Sequence, residues 1–221
     1  MNLGIIASGD LGFSTCSTLL EKGVKPIFLF TDTHSVAIKN LFLQNNIPVF
    51  SGNPRNGKGL NFLNSLEHEI HLILSINYIF LLDSDLISYP KFGCVNVHGS
   101  LLPKYRGRTP HVWAIINNEK LTGITVHFID SGCDTGSIIL QERVQIENHF
   151  RGADILSVFR LRYPELTLKI IELFGKGIVS STPQDEDKAT YFGKRSPDDG
   201  KIDWNWQRER LYNWVRAQAN P

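Results

Sequence analysis

Short apolar runs alternate with stretches of helical periodicity along the first half of the chain. The runs 3–8 (LGIIAS), 25–31 (KPIFLFT), 47–50 (IPVF), 70–76 (IHLILSI) and 94–98 (CVNVH) have the near-continuous apolar character of strands buried on both faces. Between the first two, Leu11, Phe13, Cys16, Leu19 and Leu20 recur at helical spacing, with Asp10 the expected N-cap and Gly23 the stop. Repeated strand-helix-strand units predict an α/β fold: a doubly wound, mostly parallel, Rossmann-like sheet whose ligand crevice lies beyond the carboxyl ends of the strands.

Farther on, 122–129 (TGITVHFI) and 136–146 (GSIILQERVQI) read as two strands joined by DSGCDTG (130–136), close enough to form a hairpin-like pair. Residues 151–175 read as helix, kinked or restarted at Pro164. From about 181 the chain turns polar and rich in turn formers before one more amphipathic segment, RERLYNWVRAQANP. The expected division is a main domain over 1–180 with a short extension over 181–221 packed on it.

Composition narrows the function classes. With 221 residues and 42% hydrophobic content the chain can bury a sizeable core. Lys plus Arg (23) nearly balances Asp plus Glu (22), without the surplus of a dedicated nucleic-acid binder, so a small-molecule ligand is expected. The three cysteines, Cys16, Cys94 and Cys133, lack CxxC spacing and suggest neither a disulfide framework nor a metal site. The opening MNLGIIASGD reads as a first core strand, not a targeting segment or membrane span, and a cytoplasmic location is expected.

Two glycine motifs are decoys. GNPRNGKG (52–59) matches seven positions of a phosphate-binding P-loop, but Gly59 stands where a Ser or Thr must hold magnesium, and Pro54 removes an amide. GDLG (9–12) is expected to be a strand-to-helix turn.

NVHGSLLPKYRGRTP (96–110) is different. Polar groups leaving a buried strand lose water and need partners. Asn96 and His98 project to the same face because strand side chains alternate. An amide can donate to an oxyanion and an imidazole can move a proton near neutral pH. Asp134, flanked by Gly132 and Gly136, can complete the set from the next loop. Amide, imidazole and carboxylate together suit acyl transfer to an amine. A structural role is expected for His34, His68, His71, His127 and His149.

NVHGSLLPKYRG together with TGITVHFIDSGCDTGSII resembles the folate-dependent formyltransferases, and the resemblance extends more loosely over 1–180. It implies the formyltransferase fold, a catalytic set of Asn96, His98 and Asp134, and 10-formyltetrahydrofolate as donor, with no metal. Asn96 and protonated His98 are then expected on the developing oxyanion, with Asp134 assisting removal of the amine's protons. The pterin is expected between NYIFLL (77–82) and IDSGCD (129–134), held at Tyr78, Ile79, Phe80, Leu82, Ile129, Asp130, Gly132 and Cys133. YFGKRSPDDGKIDW (191–204) resembles the family's tail, implying a short hairpin and helix, with Trp204, Trp206 and Trp214 as core or dimer contacts in a possible homodimer.

Resemblance also narrows the acceptor. The purine enzymes of the family typically carry Pro where Gly99 stands, and the tRNA enzymes carry a further C-terminal domain. Residues 181–221 hold seven Lys or Arg against seven Asp or Glu, which does not suit a polyanion. A nucleotide-linked 4-amino-deoxy sugar, with Lys104, Tyr105, Arg106 and Arg108 binding it, is the expected acceptor. A tRNA enzyme lacking its C-terminal domain and a formyltetrahydrofolate hydrolase are the alternatives.

Overall fold

In the computed structural model, which describes residues 1–218, the apolar runs form the parallel strands of a seven-stranded sheet. β1 (Leu3–Ala7), β2 (Phe28–Thr31), β3 (Val49–Ser51), β4 (Leu72–Ile76) and β5 (Cys94–His98) alternate with α1 (Gly9–Glu21), α2 (Val36–Gln44), α3 (Lys58–Asn64) and α4 (Ser84–Ser88). After the short β6 (Arg106–Gly107) and α5 (Pro110–Ile116), β7 (Leu121–Phe128) and β8 (Ile138–Gln145) extend the sheet as an antiparallel pair. The spatial order is β3-β2-β1-β4-β5-β7-β8. The helices α6 (Gly152–Lys176) and α7 (Arg208–Gln218) follow, with β9 (Tyr191–Phe192) between them.

The parallel strands are mostly apolar because the sheet feeds two cores. Leu3, Ile5 and Ala7 of β1 pack with Leu11, Cys16 and Leu19 of α1, Ile38 and Phe42 of α2, and Phe159 and Ile170 of α6. Ile6 points the other way, to Phe28, Phe30, Ile73, Leu63 of α3 and Leu86 of α4. At about 25 cal/mol per Å² of apolar surface, burial of these side chains is the main favourable term.

Several boundaries differ from the sequence expectation. Helix α1 starts at Gly9, with Ser8 rather than Asp10 at the N-cap. α6 runs unbroken through Pro164, because Tyr163, Pro164, Leu166 and Thr167 are all buried and their packing offsets one lost helical hydrogen bond. β9 pairs parallel with β6, so the tail contains a ladder to the main domain instead of a hairpin. Trp204 is 80% exposed and lies outside the core, whereas Trp206 and Trp214 meet edge to face at 4.9 Å. In the P-loop look-alike, the Asn56 amide donates to Asp83 Oδ2 at 2.8 Å, so an internal carboxylate takes a donor that a phosphate would need. Among the described residues no helix is long and apolar enough to cross a membrane.

Gly99, directly after β5, is required by a close approach. A Cβ built there would lie 2.7 Å from the Phe159 ring and 3.2 Å from the Tyr163 hydroxyl. Gly99→Ala is therefore expected to destabilise the fold by about 1–3 kcal/mol through overpacking. Urea unfolding should show a lower midpoint at unchanged slope, and an unchanged midpoint would refute the tight contact.

Candidate active site

The polar residues at the end of β5 meet because of strand register. Asn96 lies opposite His127 and His98 opposite Thr125 on β7, and directly opposed residues of an antiparallel pair share a face. Thr125 ties down the following turn: its Oγ1 donates to the Ser100 carbonyl at 2.6 Å and accepts the Leu102 amide at 3.1 Å. Ser100 Oγ donates to the Lys104 carbonyl at 2.8 Å, and Leu102–Pro103 is a cis peptide.

Asp134 arrives from the loop after β7 with φ +56°, in the left-handed region. Oδ2 accepts the Gly107 amide at 2.8 Å and lies 3.6 Å from His98 Nδ1. Oδ1 is 3.5 Å from Asn96 Nδ2 and 3.5 Å from His127 Nε2. His127 Nδ1 lies 2.7 Å from the Phe128 carbonyl, which can only accept, so Nδ1 carries a proton and Nε2 faces the Asn96 amide at 3.2 Å. That contact orients Asn96 with its NH2 towards Asp134. The same argument puts a proton on His98 Nε2, 2.9 Å from the Tyr105 carbonyl. Only Nδ1 of His98 is then free to exchange a proton at the site.

The electrostatics give the members different charges. His98 is 7% exposed. Its burial pushes it below the ordinary imidazole value, despite the opposing pull of Asp134 and the Tyr105 carbonyl, and His127 adds to the depression. Burial alone would raise the Asp134 carboxyl, but the His98 ring, the contact with His127 and the Gly107 amide outweigh it and hold the group well below the usual carboxylate range. An anionic carboxylate therefore sits beside a histidine that resists protonation. This departs from the protonated His98 expected from the sequence, and the physical reason is desolvation.

A cleft of about 260 Å³ opens on this cluster, lined by Asn96, His98, Asp134, Arg108, His111 and Tyr163 among others. A smaller cavity of about 90 Å³ adjoins it, sharing Tyr78, Phe80, Leu81, Asn96, Cys133 and Asp134. All eight residues expected at the pterin line one or both cavities. Burial lowers the His111 imidazole to about 4.

The basic loop divides. Arg108 lines the cleft and donates to the Ile79 carbonyl. Lys104 points away, 3.8 Å from Glu119, and the Tyr105 hydroxyl also donates to Glu119 while its ring stacks on Phe192. Arg106 is 0% exposed and turned into the protein, where Gln184, Glu186 and Tyr191 take up its donors. Sequence reasoning missed His127, His111 and the α6 wall of Leu156, Phe159 and Tyr163, whereas Leu81, 64% exposed at the rim, lies within the expected 77–82 segment. His127 stood in the motif, but only strand register shows that it faces Asn96.

Cys133 is the accessible thiol of the three. Burial pushes Cys16 and Cys94 up to about 12, and burial and Asp134 also raise Cys133. Slow alkylation by iodoacetamide at Cys133 alone is expected, retarded by anything that fills the cleft. Peptide mapping that found Cys16 or Cys94 labelled at a similar rate would contradict the burial.

Residues 18–157 match the family model described as Formyl transferase. The chain belongs to the formyl transferase family. The bifunctional polymyxin resistance protein ArnA of Wigglesworthia glossinidia brevipalpis is 34% identical over 232 residues, covering 100% of this chain and 35% of that protein. The methionyl-tRNA formyltransferase of Thermodesulfovibrio yellowstonii is 35% identical over 98% of this chain and 74% of its own length. The chain thus spans about a third of one of these relatives and about three quarters of the other. Among solved structures, the N-formyltransferase of Helicobacter canadensis, in complex with folinic acid and dTDP-3-aminofucose, shares the fold with TM-score 0.79 at 20% identity, over 98% of this chain and 80% of that one. A 4-N formyltransferase of Francisella tularensis does so with TM-score 0.81 at 21% identity, over 100% and 88%.

Proposed function

We propose that this chain is an N-formyltransferase that moves the formyl group of 10-formyltetrahydrofolate to the amine of a nucleotide-linked 4-amino-deoxy sugar. The observation that carries the reaction class is the convergence of Asn96, His98 and Asp134 on the floor of one cleft. The adjoining smaller cavity, with the rings of Tyr78 and Phe80 and the aliphatic Leu82 and Ile129 beside the irregular 129–134 loop, suits a flat heterocycle. Those residues would hold the donor, which supplies an activated formyl carbon. Asn96 Nδ2 keeps its contact with His127 and exchanges the long 3.5 Å one with Asp134 for the formyl oxygen as charge builds there. His98, neutral and with Nδ1 free, takes a proton from the attacking amine and returns it to N10 of tetrahydrofolate as the N10–formyl bond breaks. Asp134 stabilises the imidazolium so formed.

The sugar acceptor rests on three observations: the fold is shared with an enzyme crystallised with an amino-sugar nucleotide, the cleft carries Arg108, and Lys plus Arg of the chain barely exceeds Asp plus Glu. The methionyl-tRNA reading is favoured by the curated relative at 35% identity. Side-by-side assays with amino-sugar nucleotides and initiator methionyl-tRNA decide between them. Efficient formylation of the tRNA with every sugar nucleotide inert would overturn the sugar reading. Rapid formate release from the donor with no amine present would instead indicate a hydrolase.

A further inference from the structure

Arg106 is a fully buried guanidinium for which the reaction has no use, and its partners lead back to the active site. Nη2 and Nη1 donate to the two carboxylate oxygens of Glu186 at 2.6 and 2.8 Å. Nε and Nη2 donate to Gln184 Oε1 at 3.1 and 2.8 Å, and Nη1 also donates to the Tyr191 hydroxyl. These bonds use all five guanidinium donors. Arg106 has nothing left to offer a ligand, and the physical reason for correcting its expected substrate role is this saturation.

The ion pair also decides which way Gln184 faces. With Oε1 held by Arg106, the amide nitrogen must point the opposite way, and Gln184 Nε2 donates to the main-chain carbonyls of Asp134 and Gly136, both at 2.8 Å. One carbonyl is that of Asp134 itself and the other lies two residues on, so the bonds hold the backbone of Asp134 in its left-handed conformation, which a non-glycine residue keeps only where its surroundings over-determine it. The carboxylate is fixed from the same direction by the Gly107 amide, next to Arg106 in the β6–β9 ladder. The ladder itself is closed by Arg106 N donating to the Thr190 carbonyl and Arg108 N to that of Phe192, both at 2.9 Å.

We propose that Gln184 is a positioning residue for the reaction, holding the main chain of the Asp134 turn so that the carboxylate faces His98, and that Arg106, locked by Glu186, sets the orientation of the Gln184 amide. The segment 184–192 is then a working part of the active site. This rests on the roles given above to Asp134 and His98, and two independent readouts separate its failure from theirs.

The test compares Gln184→Glu and Gln184→Leu with the parent enzyme. Gln184→Glu keeps the shape and the acceptor for Arg106 but sets a second oxygen against the two carbonyls, so the fold is retained while the anchor is lost. Gln184→Leu removes both contacts. The first readout is kcat with the KM for the donor. A fall of about 10–100-fold in kcat with KM within three-fold is expected, since a misplacement of about 1 Å can cost that much. The second needs no turnover: the midpoint of the His98 ring by NMR titration, assigned with the His98→Gln variant. Asp134, His127 and the Tyr105 carbonyl face that ring. Loss of a fixed Asp134 should lower the midpoint, whereas a staple that merely stabilises the fold would leave it in place. An unchanged midpoint in both variants overturns the proposal, as does a kcat within two-fold of the parent in an active enzyme. If the parent transfers no formyl group to any acceptor, the functional reading fails and the midpoint alone decides the positioning.

Discussion

Replacing Asp134 with Asn is expected to lower kcat for formyl transfer by about 10²–10⁴-fold, the range for loss of a partner in general acid-base catalysis. Asn has the same shape, tolerates the left-handed backbone, and can still accept the Gly107 amide through its oxygen. What disappears is the negative charge 3.6 Å from His98 Nδ1. In the parent that charge partly offsets the burial that depresses His98, so it makes the ring a stronger base. The sign follows. His98 must be neutral to take the amine's proton, so kcat/KM falls as pH drops through its pKa. Without Asp134 that pKa drops further, and the acid limb of the profile should move to lower pH while the plateau collapses. A plateau within a few-fold of the parent, or an acid limb displaced upward, would remove Asp134 from the mechanism.

Much of this site could be read from the chain because it is local. Asn96 and His98 are two residues apart on one strand, and period-two alternation alone puts them on a common face. The parallel sheet was equally readable, since strands buried on both faces are apolar at nearly every position, as Leu3–Ala7 and Leu72–Ile76, with Ser75 its one polar residue, show. What escaped depends on distant parts of the chain. His127 joins the site only through the β5–β7 register, and a slip of one residue would turn it to the opposite face. Arg106 looked like an exposed ligand contact because its neighbours in sequence are polar. Its burial is decided by Gln184 and Glu186, some eighty residues away, and no local pattern encodes that pairing. Of the two readings of Pro164, the restart fails for a similar reason: the break is overridden by the core against which α6 packs. The tail therefore reads as an appendage in composition, yet its Gln184 bonds the main-chain carbonyls of Asp134 and Gly136.

Asn96→Asp should be nearly as damaging as loss of Asp134, and its deficit relative to the parent should shrink as pH falls. The substitution keeps the side-chain volume but exchanges the Nδ2 donor for an oxygen, 3.5 Å from Asp134 Oδ1. Loss of one donor to a developing oxyanion costs about 10²–10³ in kcat. An ionised carboxylate at residue 96 adds repulsion, both to the charge growing on the formyl oxygen and to Asp134. Two carboxylates this close cannot both ionise freely, so the pair titrates in two steps with one apparent pKa raised. Below that raised value the pair holds a shared proton, one oxygen becomes an O–H donor, and part of the lost interaction returns. The parent loses activity over the same acidic range because His98 becomes protonated there. The ratio of variant to parent kcat/KM should accordingly rise as pH falls, although both rates are small at the acid end. A ratio independent of pH, or a variant within ten-fold of the parent at neutral pH, would show that the Asn96 amide does not face the reacting oxygen.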